Sequence, residues 1–379
     1  MKTGSMKLAG AVIQYSYLEN NDGKRLQFYY TIVPERPEQI ADQMVTIERA
    51  ESALFKTFEI DERAVMVRRF FSSDLINHRD TLLDYKKRQK TDFYFSLTEQ
   101  PPISAVKLAL LGMCLTNITS KIRDGNVFYC DTTSGIRHIF VERLIAPNPV
   151  EDAETQTERI FEHLKTKLSQ FNATIEDNVL RTWIYAPHVD ADYPGIVKAR
   201  RELFDSINLT KDTHYIASTG IQGGTGDQFA RVSMDAYAVT GLDKTKVRYI
   251  QAPEYLSPTY VYGVTFERAT AIEMGNTDFL FISGTASIDN KGDVVHQGDI
   301  VKQTERTLTN ISALLGSAGF SKEDLSSFMI YLRDPADHSF VKPVIDQYVK
   351  DLPAVCVKAP VCRPGWLIEI EATAGRVIR

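Results

Sequence analysis

The segment VSMDAYA, residues 232–238, returns 136 residues later as IEIEATA, residues 368–374. Both alternate apolar and polar positions with the period of two that marks a strand. They differ at one position that bears on chemistry: Ser233 in the first copy corresponds to Glu369 in the second. A chain that writes one strand twice is expected to repeat the unit around it, and this limits the fold more than any other feature.

Reading outward from each copy extends the match. In the C-terminal copy, DFLFISGTASI (residues 278–288) is an apolar run closed by small residues, hence a strand, and KGD (291–293) is a turn. From Asp299 onward, Val301, Thr304, Leu308, Ile311 and Leu315 fall at helical spacing, and Gly319 ends that helix. LSSFMIYLRD (325–334) is a strand, Phe340, Val344 and Tyr348 mark a second helix, and AVCVKA (354–359) and LIEIEATA (367–374) are closing strands. The earlier copy repeats this order through GIRHIFVERLIA (135–146), a helix over 154–171, VLRTWIYAP (179–187), a helix over 196–207, THYIASTGI and RVSMDAYAV. Gln156 pairs with Gln303 and Tyr185 with Tyr331; the offset shrinks from 147 to 136 along the unit, as loop deletions produce.

The expected fold class is α+β: two fused β-α-β-α-β-β units behind an N-terminal extension. The expected boundaries are 1–130 for an extension packed on the first unit, 131–250 for a degenerate unit, and 251–379 for the unit that carries the acidic strand. Within the extension, residues 27–33 (QFYYTIV) and 91–97 (TDFYFSL) read as strands, and 40–58 and 106–118 as amphipathic or buried helix. The residues ahead of Met6 are left out of this fold reading.

Composition excludes several classes of function. A net charge of −5 and a pI near 5.9 give no global basic field, so no nucleic-acid partner is expected. No apolar run nears the roughly 20 residues of a membrane helix, and no secretory leader is apparent. Four cysteines without CxxC spacing argue against a disulfide framework or a zinc site. A soluble cytoplasmic protein of a reducing compartment is expected.

FISGTASI, the QTERTLTNISALL helix and IEIEATA resemble the YjgF/RidA fold, an α+β unit of a six-stranded sheet backed by two helices. That unit joined to a degenerate copy, with STGIQGG and YGVTFERA, resembles the chorismatase family over most of the chain, least well over the first 100 residues. The resemblance implies a cofactor-free enzyme of secondary metabolism that cleaves chorismate to pyruvate and either a diene acid or a hydroxybenzoate. It also explains the opening asymmetry: both copies build sheet, and only the C-terminal one keeps the acid.

Chorismate is a dianion with an enol ether, and cleaving the ether requires a proton delivered to the vinylic carbon. Alternation puts Glu369 and Glu371 on one face of the strand, about 7 Å apart, where desolvated carboxyls raise one another's pKa. The resemblance makes Glu369 the general acid. Arginine suits the two carboxylates because its planar fork donates paired hydrogen bonds; Arg268, Arg363 and, more weakly, Arg181 are the candidates, with Tyr262 as a further donor. Gly284 and Cys362 resemble the positions that mark hydroxybenzoate formers, which favours 3-hydroxybenzoate, with 4-hydroxybenzoate and the diene acid as alternatives. The rival readings are a RidA-like imine or enamine deaminase, disfavoured because Val355 stands where that family places its carboxylate-binding arginine, and a non-catalytic binder of small carboxylates. A monomer or small homo-oligomer is expected.

Three further segments read as structural. IQGGTGDQ (221–228) opens no helix and is expected as a hairpin turn rather than a phosphate loop. KARR (198–201) is expected as a solvated helix face and DYKKRQK (84–90) as an exposed loop.

Overall fold

A computed structural model describes residues 1–147 and 151–378. The described residues form three six-stranded sheets. The first comprises β1 (Lys2–Leu8), β2 (Ala11–Glu19), β3 (Arg25–Pro34), β4 (Val65–Ser72), β5 (Tyr94–Glu99) and β6 (Leu108–Leu115), with helices α1 (Ile40–Thr57) and α2 (Leu75–Arg88). The second comprises β7 (Ile118–Asp124), β8 (Val127–Thr132), β9 (Arg137–Ile145), β10 (Val179–Ala186), β11 (Ala217–Gln222) and β12 (Ser233–Thr240), with α3 (Ala153–Ser169), a one-turn α4 (Ile175–Asn178) and α5 (Val189–Ser206). The third comprises β13 (Val247–Ile250), β14 (Ala269–Met274), β15 (Thr277–Ala286), β16 (Leu325–Leu332), β17 (Ala354–Lys358) and β18 (Ile368–Val377), with α6 (Ile300–Ser317) and α7 (His338–Tyr348).

Numbered within each unit, all three sheets have the strand order 1-2-3-6-4-5, with strands 4 and 5 parallel and the other neighbours antiparallel. Strand 4 carries a bulge at the same place each time, at Val65/Val67, Val179/Arg181 and Leu325/Ser327. The α+β class and the repeated units are as expected, but their number is three. Residues 1–115 are a full copy, not an extension, and Lys2–Leu8 pair along their whole length with β2. The second unit begins at Ile118 and the third at Val247, and each opens with two strands that the expected β-α-β-α-β-β order lacks.

The segment 106–118, expected as helix, contains the central strand β6, and all eight residues of that strand are buried. A strand covered on both faces reads as a continuous apolar run and loses the alternation that distinguishes it from a buried helix. One hydrogen bond recurs in all three units. A glutamine in the first helix accepts from the backbone leading into strand 6: Gln43 from Lys107 N, Gln156 from Arg231 N and Gln303 from Leu367 N, each at 2.9 Å. Three helices, α2, α3 and α6, start on aspartates that cap their first turns, Asp74, Asp152 and Asp299, each worth about 1 kcal/mol.

Each sheet covers one face with its helices. In the first unit Met44, Ile47 and Leu54 of α1 pack with Leu75 and Leu82 of α2 over Phe28, Tyr30 and Phe70. The other faces of the three sheets converge on a common interior lined by Met113, Phe140, Tyr237, Phe281 and Met329. The units meet cyclically: β5 packs on β9, β11 on β15 and β17 on β6, with bridges Glu99–Gly224, Ala217–Glu267 and Pro102–Val357 at the junctions. The glycine-rich segment 221–228 is therefore no hairpin turn, since β11 and β12 flank β10 instead of pairing. It crosses over and docks Gly224 on Glu99 of the first unit. DYKKRQK is also not a loop: residues 84–88 form the last turns of α2, with Tyr85 buried.

Candidate functional site

The cross-strand register gives the three equivalent positions on strand 6. Glu369 lies opposite Tyr331, Ser233 opposite Tyr185 and Ala109 opposite Phe71. Two residues on, the set is Glu371, Asp235 and Leu111. The first acid of the pair thus exists in the third unit alone, and it faces the junction where β11 and α5 of the second unit meet β15 and β18.

The pocket at that junction is lined by Glu369, Gly284, Cys362, Arg363, Arg268 and Tyr262, six residues singled out from the sequence. The seventh, Arg181, lies behind the pocket wall. Its guanidinium pairs with Glu371 at 3.2 Å and donates to the Thr219 hydroxyl, and it lines the common interior instead.

Glu369 is 5% exposed, and burial, followed by the negative charge of Glu371, raises its pKa to about 8. Arg181 and Arg268 act in the opposite sense and do not cancel this. Glu371 diverges from its neighbour. Burial alone would push its pKa up, but the charges of Arg181 and Arg69 and the hydrogen bonds from Tyr331 and Thr219 bring it below the ordinary value. Its oxygens accept from Tyr331 OH at 2.7 Å and Trp183 Nε1 at 3.0 Å. One carboxyl is a held anion and the other a protonated acid near neutral pH, the division of labour that acid catalysis needs.

Gly284 makes this placement possible. A β-carbon there would collide with the Glu369 carboxyl, so only glycine lets the acid lie across β15. Gly220 on β11 does the same for the ring of Tyr193, which closes the opposite side. The Cys362 thiol beside them is pushed up to about 12 by burial and the Glu369 carboxyl, so it is a neutral wall group.

Three guanidinium groups surround the acid. Arg268 donates through Nε and Nη2 to Ser257 O at 3.2 and 2.7 Å, and it stacks against Tyr262 and Phe266. Arg363 lies over Tyr262 and Trp366 and donates to Gly292 O at 3.2 Å. The third, Arg200, belongs to the KARR segment expected to be solvated. It is 1% exposed, reaches Thr265 Oγ1 at 3.3 Å and Ser218 Oγ at 3.4 Å, and leaves one terminal nitrogen without a partner. The available signal was spacing: Ile196, Arg200 and Phe204 share one helix face at i, i+4, i+8, and all three are buried. Tyr193, Thr219 and Gly220 were also missed as individual residues, although STGIQGG contains two of them.

By the same measure that puts a benzene-binding engineered cavity near 150 Å3, this pocket holds about 40 Å3. A ring-sized substrate therefore has to displace part of the wall. The segment 257–266, with Tyr260 and Val261 exposed and Gly263 at φ 83°, forms that wall on the solvent side. A pocket with one neutral acid and three cations can hold a small polyanion and protonate it.

The other two junctions lack the site. At the first, register places Arg143 where Gly284 stands, and its backbone N–H donates to Asp235 at 2.6 Å. At the third, Ala109 and Leu111 offer no acid.

The three-unit fold has a solved counterpart in the crystal structure of a chorismatase. That structure superposes with a TM-score of 0.63 at 18% identity, covering 82% of this chain and 93% of the other, so the two share a fold. The Endoribonuclease L-PSP family model matches residues 267–376. The same unit is 36% identical over 99 residues to 3-aminoacrylate deaminase RutC of Acinetobacter baylyi, covering 26% of this chain and 79% of that protein. It is 40% identical over 106 residues to a RutC family protein of Pyrococcus horikoshii, covering 27% of this chain and 82% of the relative. Through its third unit, the chain belongs to the RutC (endoribonuclease L-PSP, YjgF/RidA) family.

Proposed function

We propose that the protein is a chorismatase that releases pyruvate and a hydroxybenzoate, 3-hydroxybenzoate in preference to its isomer, by acid-catalysed cleavage of the enol ether. The observation that carries this reading is Glu369, a carboxylic acid with a pKa of about 8 set among Arg200, Arg268 and Arg363. A dianion meets cations there, and the acid beside them still holds its proton at neutral pH. Glu369 gives that proton to the terminal vinylic carbon. The double-bond electrons form the new C–H bond and leave an oxocarbenium ion stabilised by the ether oxygen. The neighbouring ring hydroxyl adds to the cation and returns its proton to Glu369, giving a cyclic ketal. The ketal opens by cleavage between the pyruvyl carbon and the original ether oxygen, which takes the proton and stays on the ring as the hydroxyl. The bond between the ring and the former hydroxyl oxygen then breaks as pyruvate leaves with that oxygen. Loss of the proton from the adjacent hydroxyl-bearing ring carbon, back to Glu369, aromatises the product. Chorismate then divides into pyruvate and hydroxybenzoate with no net water consumed. Trapping by water instead yields the diene acid. Cys362, a neutral thiol beside the acid, limits the space for that water.

The deaminase reading rests on the RutC relatives and is weakened by register. Val355 sits on β17 at the junction with the first unit, away from Glu369. The residue of the same register that reaches the pocket is Thr219, since Trp183 faces Thr219 as Met329 faces Val355. Neither is a cation. The test is incubation of the purified protein with chorismate, without added metal or cofactor. Pyruvate with 3-hydroxybenzoate supports the proposal, pyruvate with the diene acid keeps the reaction but removes the product assignment, and no pyruvate overturns it.

A further inference from the structure

The interior where the three sheets converge contains a cavity of about 80 Å3, separate from the Glu369 pocket. Its walls are aromatic, with Phe140, Tyr237 and Phe281 contributed by the second and third units. Its polar end holds Arg69, Arg181 and Glu371, which are 6%, 2% and 6% exposed. Two buried guanidinium groups face one carboxylate, so one positive charge is unbalanced. Asp235 is in ion-pair contact with neither guanidinium, both of which pair with Glu371; its oxygens accept from Tyr94 OH, Ser96 Oγ and the Arg143 backbone N–H. His138 in the wall is neutral, its pKa lowered to about 4 by burial. Two N–H groups at this end, Arg69 Nε and Arg181 Nη1, have no partner. An unpaired buried N–H on a cation is costly, and an apolar cavity next to it gives water few other contacts.

We propose that this cavity binds a small monocarboxylate of the acetate, propionate and pyruvate size, with its carboxylate on Arg69 and Arg181 and its short body against the aromatic wall. One anion balances the excess charge, and a planar carboxylate matches the guanidinium donors. The size follows from volume: 80 Å3 is about half of the 150 Å3 that accommodates benzene. Four methionines, Met66, Met113, Met274 and Met329, line the cavity and allow modest expansion. Leu115, His138, Met274 and Phe279 line both this cavity and an outer pocket bordered by Asn20, Lys24 and Asn276, so they are the partition a ligand entering from that side has to displace. Arg181 also touches Glu371 and Thr219, so occupancy is felt at the back of the Glu369 pocket.

The inference does not depend on the chorismate reading, because its test involves no turnover. Propionate and pyruvate are titrated calorimetrically into the full-length protein, its Gly284→Ala form, in which the Glu369 pocket is disrupted, and its Arg69→Met form. Saturable binding is expected in the wild type and in Gly284→Ala, weakened about tenfold or more in Arg69→Met. If Arg69→Met does not fold, Met113→Phe, which fills the cavity without altering charge, serves in its place and is expected to abolish binding. No saturable binding to the wild type, binding lost in Gly284→Ala, or binding unchanged in the folded cavity variant each overturns the proposal.

Discussion

The Glu369 carboxyl lies across Gly284, with Oε1 in the space that a β-carbon at position 284 would need. The acid and the glycine come from neighbouring strands, β18 and β15, whose register slips between Ile282 and Thr285. That irregularity and the missing side chain together seat the acid in the pocket instead of between the strands. Gly284→Ala is expected to push Glu369 out of line and lower pyruvate release about a hundredfold, the usual consequence of a displacement near 1 Å. A thermal melt separates misplacement from unfolding, and wild-type turnover in the folded variant would refute the packing argument.

The pH dependence follows from the Glu369 pKa of about 8. The proposed reaction requires the protonated acid, so kcat is expected to hold through neutrality and fall as pH rises past about 8. Stability moves in the same direction. Between the ordinary carboxyl value of 4.5 and about 8, the folded protein keeps a proton that the unfolded chain releases, so stability declines as pH rises through that window. Glu369→Gln removes this decline and is expected to cost about 10²- to 10⁴-fold in turnover. Urea titrations at pH 6 and pH 9 should show the wild type losing stability and the glutamine variant losing much less. A wild-type curve that is flat with pH would mean that Glu369 ionises normally.

The third unit was legible in the sequence because β18 alternates apolar and polar residues even where it is buried, as Ile368, Glu369, Ile370 and Glu371, and because its small residues at Gly284 and Thr285 close the strand beside the acid. The first unit was not. Its strand β6 is buried throughout, which erases the period, and Ala109 and Leu111 replace the polar residues that made the other two copies look alike. Gln43 was the surviving mark, at the helix position of Gln156 and Gln303, but one glutamine without a matching strand is a weak sign. Within the site, residues on the acidic strand and its flanks were found by their chemistry. Arg200 and Tyr193 were not, since they reach the pocket from the preceding unit, and the distance between units is not written in local periodicity.

Arg200 is the most direct test of that cross-unit reading. It touches no other charged group in the pocket, and one of its terminal nitrogens has no partner. A bound carboxylate would complete it. Arg200→Gln is expected to raise KM about tenfold or more while kcat stays within a few-fold, the pattern of an interaction made equally in ground and transition states. Equal losses in kcat and kcat/KM would instead place Arg200 on the developing charge.

Arg181 and Glu371 are expected to behave as a pair. Both are buried, and Glu371 also faces Arg69 at 3.9 Å, so it is the loss of Glu371 that leaves buried charge uncompensated. Glu371→Gln should destabilise the fold by about 3–5 kcal/mol, and the double variant Arg181→Met/Glu371→Gln by less than the sum of the singles. Equilibrium denaturation of the four proteins gives the coupling directly, and additive losses would show that the pair does not act as a unit.

Cys362 tests the product assignment. Its thiol pKa of about 12 means that it carries no charge and takes no proton near neutral pH, so any effect of replacing it is one of shape. It lines the pocket with Glu369 and Tyr193, and in the proposed reaction its bulk takes up room that a trapping water would use. Cys362→Ala removes one sulfur atom and opens a gap beside the acid without altering the charge of the site. Turnover of chorismate is expected to stay within about tenfold of wild type, because no group that moves a proton is lost. The product should shift from 3-hydroxybenzoate towards the diene acid as water gains access. Chromatography of the products at equal pyruvate release measures the ratio, and an unchanged ratio would mean that the ring hydroxyl's own proximity, not the thiol, decides which oxygen traps the cation.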